Sequence, residues 1–232
     1  MIRLIRAAVF AICTALPSAL VAQDFDVGFD AYYEGDYATA LENWRPLAEG
    51  GDSAAQFNLG LMYQDAVGVT QDYEEAVRWY RLAAEQGRSA AQNNLGVMYR
   101  DAVGVPKDYA EATRWFRLAA EQGNSGAQVS LGFMYGSGHG VPQDYAEAVL
   151  WYQLAAEQGN AQAQNNLGLM YVYGRGALQS LVLAHMWFNI ASANGGEDAP
   201  SNRYSAENLM TRDQIAEAQA LARVCMSSDY QE

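Results

Sequence analysis

From Asp52 onward the apolar positions of the chain alternate between two helical stripes. Ala55, Leu59, Met62 and Tyr63 fall at i, i+4, i+7 and i+8, which predicts a first helix, A, over about Ser53–Gln64. Ala76, Trp79, Tyr80, Ala83 and Ala84 form the buried face of a second, B, over about Asp72–Gln86. Asp72 is placed to cap helix B, Glu74 and Glu75 suit its positive start, and Gly87 suits its end. Between the helices, Gly68 permits a turn in the loop Asp65–Gln71, and Val69 pins that loop from below. Gly60 stands in the middle of helix A, where glycine costs about 1 kcal/mol against alanine. Its recurrence as Gly96, Gly132 and Gly168 predicts close approach of the partner helix.

The whole pattern repeats every 36 residues without insertion or deletion, over residues 52–87, 88–123, 124–159 and, eroded, 160–195. The first two copies are identical at 27 of 36 positions. A fixed period of this length specifies a solenoid in which each unit stacks on its neighbours. Residues 23–51 are expected to form a shortened first unit. Phe25, Phe29 and Tyr32 or Tyr33 mark its first helix, and Ala38, Leu41 and Trp44 its second. Asp36 or Thr39 lies near the second helix start, and Pro46 should kink or end it. In the fourth copy Ser180 replaces the capping Asp, and His185 and Met186 replace polar residues, so something is expected to pack over it. A capping helix within 206–225 fits, with Leu209, Ile215, Ala218, Leu221 and Ala222 on one face and Thr211 or Asp213 near its start. Residues 195–203 are expected to be the loop before it.

The N-terminus changes the picture of where the chain works. Arg3 and Arg6 precede the ten-residue apolar run 7–16, which Pro17 breaks. The run falls short of the roughly 20 residues a spanning helix needs, so residues 1–22 are expected to be a cleaved signal peptide, cut after Ala22 or after Ala19. Ile12 and Phe10 are too large for a lipidation site at Cys13. After cleavage Cys225 is the remaining cysteine and no internal disulfide is possible, so the fold holds by packing. A periplasmic or secreted location follows. Loss of Arg3 and Arg6 leaves 12 basic residues against 27 acidic, net −15. That balance disfavours nucleic acid and anionic lipid as partners. No later apolar run is long enough for membrane insertion, and the protein is expected to be a monomer.

The repeat residues resemble the Sel1-like repeat family, relatives of the tetratricopeptide repeats. Ala-Gln-x-x-Leu-Gly-x-Met-Tyr stands at 55–63, 91–99, 127–135 and 163–171, and Gly-Val-x-x-Asp-Tyr at 68–73, 104–109 and 140–145. Ala-x-x-Trp-(Tyr/Phe)-x-Leu-Ala-Ala-Glu-Gln-Gly follows from Ala76, Ala112 and Ala148. The resemblance implies an all-α, right-handed α-solenoid with a C-terminal capping helix. It also implies a non-enzymatic adaptor whose partner is a protein or peptide, without a cofactor. Exported relatives include regulators of envelope signalling, components of exopolysaccharide export, and cysteine-rich proteins reported to bind or hydrolyse β-lactams. The cysteine-rich branch carries a disulfide in each repeat, and this chain has no cysteine at those places.

In such a stack the A helices line the concave face. Its open positions are Phe57, Asn58, Leu61 and Gln64, then Asn93, Asn94, Val97 and Arg100. Val129, Ser130, Phe133 and Gly136 follow, and last come Asn165, Asn166, Leu169 and Val172. An asparagine ladder (Asn58, Asn94, Asn166) beside an apolar row (Leu61, Val97, Phe133, Leu169) would hold an extended peptide. The alternative is that the asparagines bond neighbouring backbone between units. The ladder resembles the asparagine of tetratricopeptide carboxylate clamps, but the clamp lysines are missing. His139 sits in a Gly-Ser-Gly-His-Gly loop with no Cys or second His at metal-ligand spacing, and reads as a loop residue. His185 reads as packed in its helix. The Glu85-Gln86, Glu121-Gln122 and Glu157-Gln158 pairs recur at helix ends and belong to the repeat itself.

Overall fold

A computed structural model describes residues 24–228; the expected signal peptide and Cys13 lie outside them. The described residues form twelve α-helices and no strand. Five hairpins come first: α1 Phe25–Glu34 with α2 Tyr37–Glu49, α3 Ser53–Asp65 with α4 Tyr73–Glu85, α5 Ser89–Asp101 with α6 Tyr109–Glu121, α7 Ser125–Ser137 with α8 Tyr145–Ala156, and α9 Ala161–Tyr173 with α10 Leu181–Ala193. Then come α11 Ala199–Glu207 and α12 Arg212–Ser227. Each B helix packs on its own A helix and on the A helix of the next unit, as a solenoid requires.

The helix boundaries follow local chemistry. Asp72, Asp108, Asp144 and Ser180 each accept a backbone N–H from the first turn of their B helix. Asp52, Asn124 and Asn160 do the same for α3, α7 and α9, whereas Arg88 leaves α5 without a side-chain cap. Asp36, rather than Thr39, caps α2.

The mid-helix glycines set the spacing within each hairpin. A Cβ on Gly60 would stand 2.5 Å from the Tyr80 ring, and one on Gly96 2.7 Å from that of Phe116. Gly132 meets Tyr152 and Gly168 meets Phe188 in the same way. The backbone of each A helix therefore rests directly on an aromatic ring of its B helix.

Between units the bond is polar and buried. Gln92 donates to the Ala84 carbonyl (3.0 Å) and accepts from Gln122 (2.7 Å). Gln56, Gln128 and Gln164 make the same pair of contacts, with Asn194 taking the place of the second glutamine in the last unit. The recurrent Glu-Gln helix ends thus have a structural role. Tyr63, expected in the apolar stripe, is only half buried, and its successors Tyr99 and Tyr135 accept from Arg81 (2.7 Å) and Arg117 (2.8 Å) of the preceding unit.

Three expectations change. Pro46 does not end α2, which continues to Glu49. The proline is exposed and sits in the last turn, where it removes one hydrogen bond and leaves the closing ones, such as Gly50 N–H to the Pro46 carbonyl at 2.9 Å, intact. Residues 199–203, expected in a loop, begin the helix α11, with Pro200 in the first turn, where its missing N–H costs nothing. The capping helix starts at Arg212 behind a Thr211–Gln214 capping box, leaving Leu209 exposed while Ala218 and Ala222 pack inward. Both α11 and α12 cover α10. His185 is fully buried there, its Nε2 2.8 Å from Glu207 of α11. Cys225 is buried on α12 and forms no disulfide.

Replacing Gln92 by leucine removes both of its bonds, the one to the Ala84 carbonyl and the one from Gln122, and uncouples two units. It is expected to destabilise the fold by about 1–3 kcal/mol, read as a lower urea midpoint. An unchanged midpoint would contradict a structural role for the ladder. Burial also pushes the Tyr152 phenol from 10.0 up to about 12, against a smaller opposing pull from Asn166. Because the folded value lies above the unfolded one, the neutral phenol's contribution is complete below pH 10 and is lost as pH rises towards 12. The Phe found at the equivalent positions 116 and 188 predicts that Tyr152→Phe folds and loses less stability between pH 8 and pH 11 than the parent. Equal losses in urea titrations at the two pH values would contradict this.

Candidate functional site in the helix A groove

The face of the A helices carries two adjoining cavities. The first, about 510 Å³, lies between Arg100 and Asp101 of α5, Val129, Ser130 and Phe133 of α7, and Gln162 and Asn166 of α9. Its rim comes from the interhelical loops, as Lys107 and His139, with Tyr109 at the start of α6. The second, about 240 Å³, shares Phe133 and Asn166 with the first and adds Tyr145, Tyr152, Leu169, Met170, Tyr173 and Arg175. Phe133 is 46% exposed, so the wall between the cavities is an open aromatic ring.

The loops reach the groove because each packs on the unit before it. At Gly140 the backbone turns with φ +71°, and a Cβ there would collide with the Tyr109 carbonyl. Two constraints, the positive φ and the close approach, thus demand glycine. They hold His139 flat on the Tyr109 ring, with centroids 4.5 Å apart and planes at 4°. Phe133 meets the same imidazole edge-on at 5.9 Å. The Thr113 hydroxyl, within 2.8 Å of the Tyr109 carbonyl, also lies 3.2 Å from the His139 carbonyl. The His139 Nδ1 is buried without a hydrogen-bond partner.

Charge in the first cavity runs against that of the chain. Arg100 binds Asp101 through two nitrogens (2.8 and 2.7 Å), which holds the Asp101 carboxyl below the usual carboxylate range, and Lys107 adds to that effect. The Lys107 ammonium stands 5.4 Å from the Tyr109 ring centroid. At its position the other units carry Gln71, Gln143 and Gln179, each donating to a carbonyl at the end of its own A helix.

The residues expected to line the groove do not all stay together. Arg100, Ser130, Phe133, Asn166 and Leu169 converge on the two cavities. Gln64 and Val97 line a separate hollow of about 420 Å³ nearer the N-terminus, where Gln64 accepts from the Tyr80 hydroxyl at 3.0 Å. Phe57 and Leu61 pack into the core between units, with Phe57 5.8 Å from Tyr80 and under the Arg88 guanidinium. Asn165 is covered by α11, where it accepts from Asn202 at 2.8 Å. Asn93 donates to Asn94 at 3.4 Å, and its Oδ1 is buried without a partner. Asn58 is half buried on α3. Asn94 and Asn166 lie close enough to the Tyr80 and Tyr152 phenols to oppose, in small part, the upward push of burial on each.

Lys107, Tyr109, His139 and Arg175 were absent from the expected groove. The signal for three of them was present, since each departs from the repeat: Lys107 from Gln, and His139 and Arg175 from Val67 and Val103. Chemically the first cavity offers cations, aromatic faces and an orphan ring nitrogen.

A family model described as Sel1 repeat matches residues 53–87, 89–124, 125–160 and 161–196. Among solved structures, c5321 of uropathogenic Escherichia coli, a protective antigen displaying an SLR fold, shares 34% identity at a TM-score of 0.82. That match covers 89% of this chain and 46% of c5321, so the chain spans under half the length of that relative. A Sel1 repeat protein from Oxalobacter formigenes shares 32% identity at a TM-score of 0.75, covering 86% of this chain and 84% of its own. Among curated proteins none matches the chain. Four consecutive matches to one repeat, laid over four hairpins of one geometry, place the chain in the Sel1 repeat family.

Proposed function

We propose that the chain is a non-enzymatic exported scaffold that binds an extended segment of a partner protein along the helix A groove. Sel1 repeat proteins are generally protein-interaction scaffolds, which supports the class. Export is supported by the basic-then-apolar pattern of residues 1–22.

The observation that carries the groove reading is the pair of cavities joined at Phe133 and Asn166. They run across α5, α7 and α9, so a ligand filling both must be extended. An aromatic ring open to solvent between two hollows is the kind of anchor at which binding energy concentrates.

A photo-crosslinking amino acid placed at Phe133 in living cells is expected to yield discrete adducts with one partner. The same group at Leu118, exposed on α6, is expected to yield none. Equal adducts from both positions, or adducts from Leu118 alone, would contradict the groove reading.

A further inference from the structure

Four residues of the first cavity depart from what the other copies carry: Arg100, Lys107, Phe133 and His139. Arg100 stands where the others have Gln64, Gly136 and Val172, and Phe133 where they have Leu61, Val97 and Leu169. Lys107 replaces a glutamine that elsewhere ties its loop to helix A, and gives up that bond. His139 replaces the valines that at 67 and 103 pack against the core. The four come from two helices and two loops, yet they border one hollow. A repeat protein keeps its stacking residues uniform at no functional cost; simultaneous departures at one place mark a ligand.

The departures also agree in chemistry. Lys107 is the only lysine in a chain of formal net charge −13, and it lies in this hollow beside Arg100. Arg100 is engaged by Asp101, which leaves Lys107 as the cation with no ion pair at the rim. The His139 Nδ1, held by the Tyr109 stack, has no partner in the protein. An ammonium and an orphan imidazole nitrogen over aromatic walls fit an anion with two oxygens. The apolar second cavity, reached over Phe133, fits a hydrophobic side chain close to that anion.

Resting on the groove reading above, we propose that this cavity is a carboxylate site: Lys107 and His139 hold a peptide carboxylate while a neighbouring apolar side chain enters the second cavity. The carboxylate is either the chain terminus or an Asp or Glu side chain, which present the same group. Lys107 supplies the charge, and the His139 ring, which lines the hollow, supplies a directed hydrogen bond from a ring N–H. Asp101 stays paired with Arg100, so its pull on Lys107 is the weaker one that a bound carboxylate must exceed.

The chain offers its own probe, since selective isotope labelling of lysine gives one side-chain signal, that of Lys107. Three peptides are titrated into the full-length protein: N-acetyl-Gly-Phe with a free C-terminal carboxylate, its C-terminal amide, and the amide of N-acetyl-Glu-Phe. A saturable Lys107 shift with the free acid supports the site and assigns it to a chain terminus; the same shift with the Glu peptide assigns it to a side chain. Lys107→Gln and His139→Val install residues that other copies carry, and so should fold. Each is expected to weaken binding about tenfold or more, as loss of a charge-assisted hydrogen bond does. If all three peptides shift the Met170 methyl and none shifts Lys107, the groove reading stands and the carboxylate site falls. If acetate shifts Lys107 as much as the peptides do, or if none of the three moves any groove signal, the carboxylate site also falls. The crosslinks from Phe133 judge the groove separately.

Discussion

The contact of a glycine backbone with an aromatic ring, made once in each full hairpin, is what the rest of the molecule depends on. Gly60 against Tyr80 and its three successors bring helix A within reach of helix B at one fixed distance. Interiors are close-packed, so this distance is not adjustable. With the hairpins alike, the buried glutamine of each A helix always arrives at the same carbonyl of the previous B helix. The loops then land on the previous unit at the same place, and the positive φ of Gly104, Gly140 and Gly176 keeps them there. Specificity of stacking comes from buried polar bonds and shape together, because apolar faces alone would allow the units to slide.

Uniform stacking is what makes local exceptions informative. When every unit repeats one geometry, a substituted side chain appears at a known place on the groove. Lys107 and His139 lie 32 residues apart in sequence and in different loops, yet a shared period projects both onto one cavity. At the C-terminal end the pattern is instead broken to be covered: His185 and Met186 are buried beneath α11 and α12. The same loss of repeat identity therefore has two physical causes, ligand and lid, told apart by whether the residue ends up facing solvent or core.

Much of the fold was legible because period, caps and glycine positions are local signals. The mid-helix glycines announced their contact by being costly where they stand. Gln56 and its equivalents were not legible, since a polar residue next to a stripe reads as surface until its carbonyl partner, eight residues back, is seen. The helix α11 was hidden by Pro200 and a polar composition, both compatible with a first turn as well as with a loop. Asn165 looked equivalent to Asn93, yet only the covering helix distinguishes them. Within the groove, A-helix side chains such as Ser130 and Phe133 could be placed by periodicity, although Phe57 and Leu61 turn into the contact between units. Loop residues could not, because their direction is set by packing on the preceding unit.

The central claim is that the repeat letters build the stack and that the departures at 100, 107, 133 and 139 carry recognition. A single chain tests it, with Arg100→Gln, Lys107→Gln, Phe133→Leu and His139→Val installed together, so that unit two and unit three carry residues already used elsewhere in the solenoid. The measurement is partner capture by this chain in cells, from a photo-crosslinker at Ser130, scored on material with the parent's urea midpoint. Capture lost while the midpoint is kept is the predicted result. Capture retained at the parent's level would contradict the account.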